Sequence, residues 1–301
     1  MQLEESINNY LKLKKLKIIE IIQASFWKKT LILKVKDDRN YYIIKYISEN
    51  SPLEIKKKFA DEVEFYENNS IEFIPKYIYS NNFLIQMEYV DGITLRECIH
   101  NNLLTTSIID NIVNKSIELY DEIPHTKDFE KNQFDNAYLH LNTLCSGGPF
   151  QTKTKKISLM NKIINKLIYF VLKFKLKRIV NNLDESKLKY NFVHGDLHYN
   201  NIIVKGNNIK IIDFENIFSI QGTYDFDLLY LYTIIEANVQ LKEKLIDYMG
   251  KIILPKITNN NNDLLKICDI YRTAIHINSK YNRNYKQTLY SKIIVLYREF
   301  F

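Results

Sequence analysis

Two polar clusters that directly follow apolar segments in the second half of the chain could do chemistry. Residues 191–204 read NFVHGDLHYNNIIV, and residues 211–216 read IIDFEN. Polar side chains placed this close together at strand ends are costly to bury unless each has a partner. That partner is a metal ion, a substrate, or the rest of the protein.

The spacing of these clusters predicts a short hairpin with oxygen-bearing side chains at both of its ends. Asn201 lies five residues after Asp196, and the run IIV, a KGNN turn and the run KII then lead to Asp213. Carboxylate and amide oxygens suit Mg²⁺, which takes one or two protein carboxylates and keeps waters or substrate phosphates. An isolated HGD would instead favour a turn whose Asp caps local backbone groups.

The elements that must position these residues are a β-rich region followed by a mainly helical one. Apolar and alternating runs predict a β-meander over 17–47 and two strands over 73–79 and 82–90. Ser51-Pro52 opens a helix between them, since Pro is tolerated in a first turn. Three- and four-residue apolar steps predict helices after Gly92. The sequence therefore predicts an α+β protein.

The positive charge of the chain is concentrated in one segment. The net charge is +7, and residues 151–190 contain eleven Lys or Arg and two acids. A helix over 155–178 would place one set of apolar residues on one face and a set of lysines on another: Met160, Ile164, Leu167, Val171 and Phe174, against Lys162, Lys166, Lys173 and Lys177. This pattern predicts either a core-packed helix with a solvated lysine face or an interfacial helix beside anionic lipid.

Cysteine usage and hydropathy favour a soluble, reduced protein. The three cysteines, Cys98, Cys145 and Cys268, are far apart and form no CxxC pair, which argues against a disulfide framework and a zinc site. The first residues lack the apolar core of a signal peptide. The apolar run 167–172 is too short to span a bilayer. We expect a cytoplasmic location, peripheral to the inner face of the membrane if the basic helix contacts lipid.

The motif HGDLHYNN followed by IIDFE resembles the aminoglycoside phosphotransferase/choline kinase-like family, the small-molecule branch of the protein-kinase fold. The resemblance implies a bilobal fold: a small β-rich N-lobe with one helix over 1–90, and a larger, mainly helical C-lobe over 91–301. It implies that Asp196 is the catalytic Asp and that Asn201 and Asp213 are the Mg²⁺ ligands.

The resemblance extends to residues around this centre. It implies that His194 supports the catalytic loop, and His198 is a common residue of the family at its position. Glu215 stands where protein kinases have Gly. Gly222 and Asp227 resemble a downstream Gly and an Asp that ties the catalytic loop to a helix.

The resemblance also implies a nucleotide site in the N-lobe. Lys45 would pair the nucleotide phosphates, and a helix Glu would hold it: Glu62 is the best candidate and Glu64 the rival. The hinge-like MEYVDG would contact adenine through backbone groups of Glu88 and Val90. The loop QASFWKKT has no glycine, and Ser25 is its candidate side-chain donor. Tyr199-Asn200 also replaces the usual Pro-Gly.

These features predict an ATP- and Mg²⁺-dependent phosphotransferase acting on a hydroxyl group. The absence of HRD, DFG and APE argues against a protein kinase. The basic segment favours a sugar or surface-glycan acceptor, such as a lipopolysaccharide or capsule component. The acids of the segment 120–135 favour a cation such as an aminoglycoside or choline. A pseudokinase binding module is the alternative from another class, and no nucleic-acid motif is present.

Overall fold

The computed structural model describes most of the first 123 residues and several later stretches. The described residues are 4–25, 30–123, 159–182, 191–218, 221–222, 227–228, 230–232, 235, 243–256, 263, 266–267 and 270. The chain divides into two compact units, Met1–Lys127 with Phe192–Ser219, and Asp128–Asn191 with Ile220–Phe301. The lobe boundary near residue 90 stays a prediction.

The first unit contains an antiparallel five-stranded sheet in the order β1-β2-β3-β5-β4. Its strands are β1 (Lys17–Ser25), β2 (Thr30–Lys36), β3 (Tyr41–Ile47), β4 (Tyr77–Ser80) and β5 (Leu84–Glu88). The predicted meander is therefore confirmed. Alternation in β2 turns Leu33 and Val35 into the core, where both are fully buried. Asp37 stabilises the turn after β2, because its Oδ1 accepts hydrogen bonds from the N–H groups of Arg39 and Asn40.

A helix that the sequence analysis did not predict, α1 (Glu5–Leu13), packs against this sheet. Its buried residues Ile7, Tyr10 and Leu11 follow the three- and four-residue steps of a helix face. Side chains at the start of the helix anchor it, since the Tyr46 hydroxyl donates to Glu4 Oε2 at 2.6 Å. The β-rich part thus has a second helix beside the predicted one.

The predicted helix, α2 (Leu53–Asn68), starts directly after Pro52. It buries Phe59, Glu62, Phe65 and Tyr66, which recur at three- and four-residue steps on one face. Phe65 stacks on Phe214 with ring centroids 4.3 Å apart. This packing fixes the rotation of α2 and turns the Glu62 carboxylate into the protein.

A second small sheet carries the motif residues and has the order β6-β8-β9. Its strands are β6 (Ile93–Thr94), β8 (Ile202–Lys205) and β9 (Asn208–Ile211), so the predicted hairpin is confirmed. Gly92 precedes β6 where the backbone passes close to β8. A Cβ at this position would lie 2.6 Å from the Val204 carbonyl oxygen. Only glycine, which has no Cβ, avoids this clash.

The remaining helices are α3 (Leu95–His100), α4 (Thr106–Glu122), α5 (Leu159–Asn182) and α6 (Glu243–Lys256), and two short strands are β7 (Asn191–Phe192) and β10 (Gln221–Gly222). Helices therefore dominate what is described after residue 91, as predicted. None of the helices in the described part of the chain is long and apolar enough to cross a membrane.

The core-packed alternative for the predicted apolar face of α5 is wrong at two of its positions. Leu167 and Phe174, placed by the sequence analysis with the core-packed set, are 48% and 73% exposed. The buried residues are instead Ile168, Tyr169, Leu172, Leu176 and Ile179. The helix has apolar residues on two opposite faces, and periodicity alone does not say which face packs.

Candidate active site

A buried lysine lies at the centre of the site. Lys45, in the middle of β3, is opposite Ile32 on β2 and Ile85 on β5, and the residue is only 8% exposed. Its Nζ lies 2.6 Å from Glu62 Oε2 and 2.8 Å from Asp213 Oδ1. Glu215 Oε2 is 3.6 Å away. The ammonium group is thus held by three carboxylates, of which Glu62 is the most buried.

Burial and charge compete in this cluster. Burial lowers the pKa of Lys45, but the charges of Asp213, Glu62 and Glu215 outweigh burial and raise this pKa well above its usual value. Burial also raises the pKa of Glu62, although the Lys45 charge opposes that rise. The lysine therefore stays protonated and remains a fixed positive charge at neutral pH.

Backbone hydrogen bonds hold the two motif segments side by side. The Ile212 N–H donates to the Asn201 carbonyl at 2.9 Å, and the Asn201 Nδ2 donates to the Asp196 carbonyl at 3.0 Å. Asn201 is buried, so its amide is fixed in one orientation, with Oδ1 left as its acceptor atom. The hairpin thus brings together the segments that carry Asp196, Asn201 and Asp213.

The two histidines of the motif brace the loop around Asp196. His194 is fully buried; its Nδ1 accepts from the Asp196 N–H at 3.3 Å, so its Nε2 carries the proton and donates to the Ile212 carbonyl at 3.0 Å. His198 Nδ1 accepts from the Asn200 N–H, and His198 Nε2 faces Asp196 Oδ2 at 3.8 Å. Burial lowers the pKa of His198. Both rings therefore orient the loop around Asp196.

Asp213 adopts a backbone conformation that is rare for its residue type. Its φ is +67°, in the left-handed region, where non-glycine residues are uncommon and strain collects at functional sites. Its side chain is 37% exposed, so one face of the carboxylate remains open beside Lys45. The strained backbone aims this carboxylate at the site.

The donor atoms present fit Mg²⁺. Asn201 Oδ1 and the Asp213 carboxylate are hard oxygen ligands, and Mg²⁺ needs only one or two protein carboxylates beside waters and phosphates. Within the described ranges, no group of three or more His, Cys, Asp or Glu side chains is placed so that it could hold a metal ion by itself. This donor set therefore suits a hard ion that completes its shell with a substrate.

A cavity of about 320 Å³ opens next to Lys45. That volume is within the range of small-molecule pockets. Its lining includes the predicted hinge residues Glu88 and Val90 together with Asn201 and Asp213. The Glu88 N–H is already bonded to the Lys76 carbonyl, so a base contact at Glu88 must use its carbonyl oxygen. The structure thus brings the predicted hinge and metal residues to one cavity.

Sequence reasoning missed Tyr66, which lines the same cavity. It lies one helical turn after Glu62, and its hydroxyl is buried close to the Asp213 backbone. Burial raises the pKa of Tyr66 well above its usual value. Its i+4 spacing from Glu62 was the signal that could have found it.

Two ion pairs at the hinge were also missed. Lys210 on β9 is bonded to the Glu88 carboxylate and donates to the Ile74 carbonyl at 2.9 Å. Lys205 Nζ lies 2.8 Å from Asp91 Oδ2. They link residues more than 100 positions apart, so no local pattern in the sequence could have indicated them.

Some predicted residues lie away from the cluster or outside the described residues. The structure brings Glu62, and not its rival Glu64, to Lys45. The side chain of Ser25 and residues 26–29 lie outside the described residues. Asp227 is buried in the second unit, and its predicted structural role stays a prediction.

Comparison with known proteins yields relatives of one fold. No protein-family model matches the chain. The LicA homolog of Metamycoplasma hominis is 29% identical over 188 residues, which cover 62% of this chain and 65% of the relative. The chain therefore matches slightly less than two thirds of that relative's length.

Solved structures resemble the chain over nearly its whole length. ADP-bound aminoglycoside phosphotransferase APH(2″)-Ib has a TM-score of 0.59 at 19% identity, with 99% of this chain and 98% of that chain covered. Choline kinase LicA from Streptococcus pneumoniae has a TM-score of 0.51 at 11% identity, with 98% and 99% covered. The chain has the protein-kinase-like fold of aminoglycoside phosphotransferases and choline kinases, and the resemblance found in the sequence is confirmed at the level of the fold.

Proposed function

We propose that the protein is an ATP- and Mg²⁺-dependent phosphotransferase that moves the γ-phosphate to a hydroxyl group of a small molecule. The observation that carries this proposal is the cluster of Lys45, Glu62 and Asp213 beside the cavity, with Asn201 lining the same space. Phosphoryl transfer needs positioned charges more than covalent chemistry by the protein. This cluster supplies charges of both signs on rigid elements.

Each residue has a distinct task in the proposed reaction. Lys45 binds the nucleotide phosphates, and Glu62 holds the ammonium group in place. Asn201 and Asp213 hold Mg²⁺, which when bound neutralises phosphate charge. Asp196 accepts or orients the proton of the attacking hydroxyl, and His198 steadies its carboxylate.

The relatives favour an amino alcohol of the choline type as the acceptor. The Metamycoplasma relative carries the name LicA, and the solved LicA structure is a choline kinase. Asp121 and Glu122 at the end of α4 belong to the acidic segment that the sequence analysis connected with a cationic acceptor. A sugar or surface-glycan acceptor is the second candidate, supported by the lysines of the segment 151–190.

Removing a proposed catalytic or metal residue tests the assignment. We expect Asp196→Ala and Asp213→Ala to lower ATP-dependent transfer by at least about 100-fold, because each removes a group that acts on the reacting atoms. The measurement is a coupled assay for ADP release with choline, ethanolamine, aminoglycosides and sugars as acceptors. Asp38→Ala, at an exposed turn position, is the matched control and retains activity.

The outcomes separate the candidate functions. Turnover with choline but not with sugars supports the amino-alcohol acceptor, and the reverse supports the glycan acceptor. Wild-type turnover in Asp196→Ala or Asp213→Ala overturns the assigned roles. No ADP release with any acceptor, together with no Mg²⁺-dependent ATP binding, identifies a pseudokinase binding module.

A further inference from the structure

Helix α5 carries apolar side chains on two opposite faces. One face is buried and consists of Ile168, Tyr169, Leu172, Leu176 and Ile179. The opposite face also carries large apolar side chains, here called the outer stripe, which are exposed by 48% to 73%: Ile163, Leu167, Phe170 and Phe174. Four large apolar side chains in one row form a patch of the kind that marks an interaction site.

The outer stripe is continuous along the helix. Its members are spaced by four, three and four residues, which places them within one narrow sector at about 100° per residue. The row is about 16 Å long. Since the buried face is centred on the opposite side, the stripe cannot be a fringe of the core. It is a second, outward apolar surface.

Basic residues flank the stripe. The 24 residues of α5 include five Lys and one Arg and contain no Asp or Glu. Lys166 and Lys177 lie along one side of the stripe and Arg178 lies along the other, and all three are exposed. Long basic side chains beside an apolar row can extend to an anionic surface while the row itself is buried.

We propose that α5 binds the surface of an anionic lipid bilayer with the outer stripe buried among the acyl chains. The combination of an apolar row and flanking cations matches a layer of hydrocarbon beneath negative headgroups. The helix lies in the membrane surface and does not cross it, because its other face is packed in the protein.

A second copy of the chain is a poorer match for this surface. Pairing across a two-fold axis brings the same patch of both copies together, so the Lys and Arg side chains of one helix would meet those of the other. Like charges at close range oppose such pairing. Negative headgroups instead complement the charges that the helix presents.

Vesicle binding tests the proposal, and it does not depend on the proposed phosphotransferase activity. Wild-type protein should co-sediment with vesicles containing phosphatidylglycerol and should do so weakly with pure phosphatidylcholine. The double variant Phe170→Ser/Phe174→Ser should bind at least about tenfold more weakly, because two buried rings are lost. The triple variant Lys166→Gln/Lys177→Gln/Arg178→Gln should lose most of the preference for anionic lipid.

A matched control removes exposed apolar residues elsewhere. Leu53→Ser/Leu103→Ser changes side chains that are 83% and 53% exposed, and it should bind vesicles as the wild type does. A Phe174→Trp variant reports directly whether position 174 enters the bilayer, because brominated lipid quenches the fluorescence of an immersed Trp. The wild type, whose single Trp is Trp27, gives the background signal. This quenching measurement tests the proposal in a variant that still binds vesicles.

The opposite results overturn the proposal. These are no binding of the wild type to anionic vesicles, equal binding of the double Phe variant, or no additional quenching at position 174. A wild-type dimer that Phe170→Ser/Phe174→Ser converts to monomer, without vesicle binding, assigns the stripe to self-association instead. Phosphotransferase activity on a soluble amino-alcohol acceptor should be unchanged in the Phe170→Ser/Phe174→Ser variant, so the two proposals fail separately.

Discussion

At the scale of single residues, the site depends on how three carboxylates share one lysine. Glu62 is 1% exposed and has Lys45 as its partner at 2.6 Å, whereas Asp213 is 37% exposed. The buried Glu62 is suited to a permanent pair with Lys45. The more exposed Asp213 is suited to exchange Lys45 for another partner when phosphate and metal bind. In the proposed reaction, Glu62 therefore positions Lys45, and Asp213 meets the metal and the phosphate.

The two acids of α2 that compete for this role can be compared by experiment. We expect Glu62→Gln to lower kcat/KM for ATP by roughly 30-fold or more, since losing one partner of a buried charge pair costs at least about 2 kcal/mol. Glu64→Gln should change it less than about twofold, because surface substitutions have small effects. Steady-state kinetics at several ATP concentrations measures both.

Equal effects of Glu62→Gln and Glu64→Gln would contradict the assignment. The melting temperature of each variant must be recorded as well, so that a loss of folding is distinguished from a loss of nucleotide binding.

At the scale of elements, short caps and turns set the position of the β8–β9 hairpin. Thr94 is the N-cap of helix α3, and its Oγ1 accepts from the Glu97 N–H at 3.1 Å. Glu97 Oε2 in return accepts from the Thr94 N–H at 2.8 Å. Thr94 also belongs to β6, which pairs with β8 at Ile203. The capping box thus joins α3 to the strand that follows Asn201.

The capping box predicts both a stability cost and a pH dependence. We expect Thr94→Ala to lower the free energy of unfolding by about 1 kcal/mol. Hydrogen bonds from Thr94 lower the pKa of Glu97 below its ordinary 4.5. Stability from this carboxylate is therefore fully present above pH 4.5 and is lost as the pH falls through the lowered folded pKa.

Urea unfolding at pH 7 and at successively lower pH values measures both effects. Thr105→Ala is the matched control, because Thr105 caps α4 through a longer contact of 3.3 Å to the Ile108 N–H. Thr105→Ala should lower the free energy of unfolding by less than Thr94→Ala does. A pH dependence that is unchanged in Thr94→Ala would contradict the role of the box.

At the scale of the whole molecule, charge and ligand sites are distributed unevenly. The cluster around Lys45 and the lining of its cavity belong to the first compact unit. The segment 151–190 has eleven basic and two acidic residues, so its net charge of +9 exceeds that of the whole chain (+7), and all of it is in the second unit. Nucleotide binding and the proposed lipid contact are therefore assigned to different units.

Nucleotide binding should stabilise the whole chain only when the metal is present. We expect ATP with Mg²⁺ at about 100 times its Kd to stabilise the folded state by about 2.7 kcal/mol, seen as a higher melting temperature. Asp213→Ala should lose the Mg²⁺-dependent part of this shift, while Asp38→Ala should keep it. A shift of equal size with and without Mg²⁺ would contradict the metal assignment.

Local spacing in the sequence was enough to predict the hairpin of β8 and β9. Asp196, Asn201 and Asp213 lie within 18 consecutive residues, and the turn between β8 and β9 leaves little freedom in how their segments meet. Strict alternation likewise predicted β2, since one face of that strand is buried and the other is not. Short-range constraints of this kind are present in the order of residues itself.

Only the tertiary structure decided between features that looked alike in the sequence. Glu62 and Glu64 have the same chemistry and lie on one helix, but packing of Phe65 on Phe214 turned Glu62 inward. Helix α5 has two apolar faces of similar character, and packing selected the one that includes Leu172. Periodicity shows that a face is apolar, but which face is buried depends on surfaces that distant parts of the chain supply.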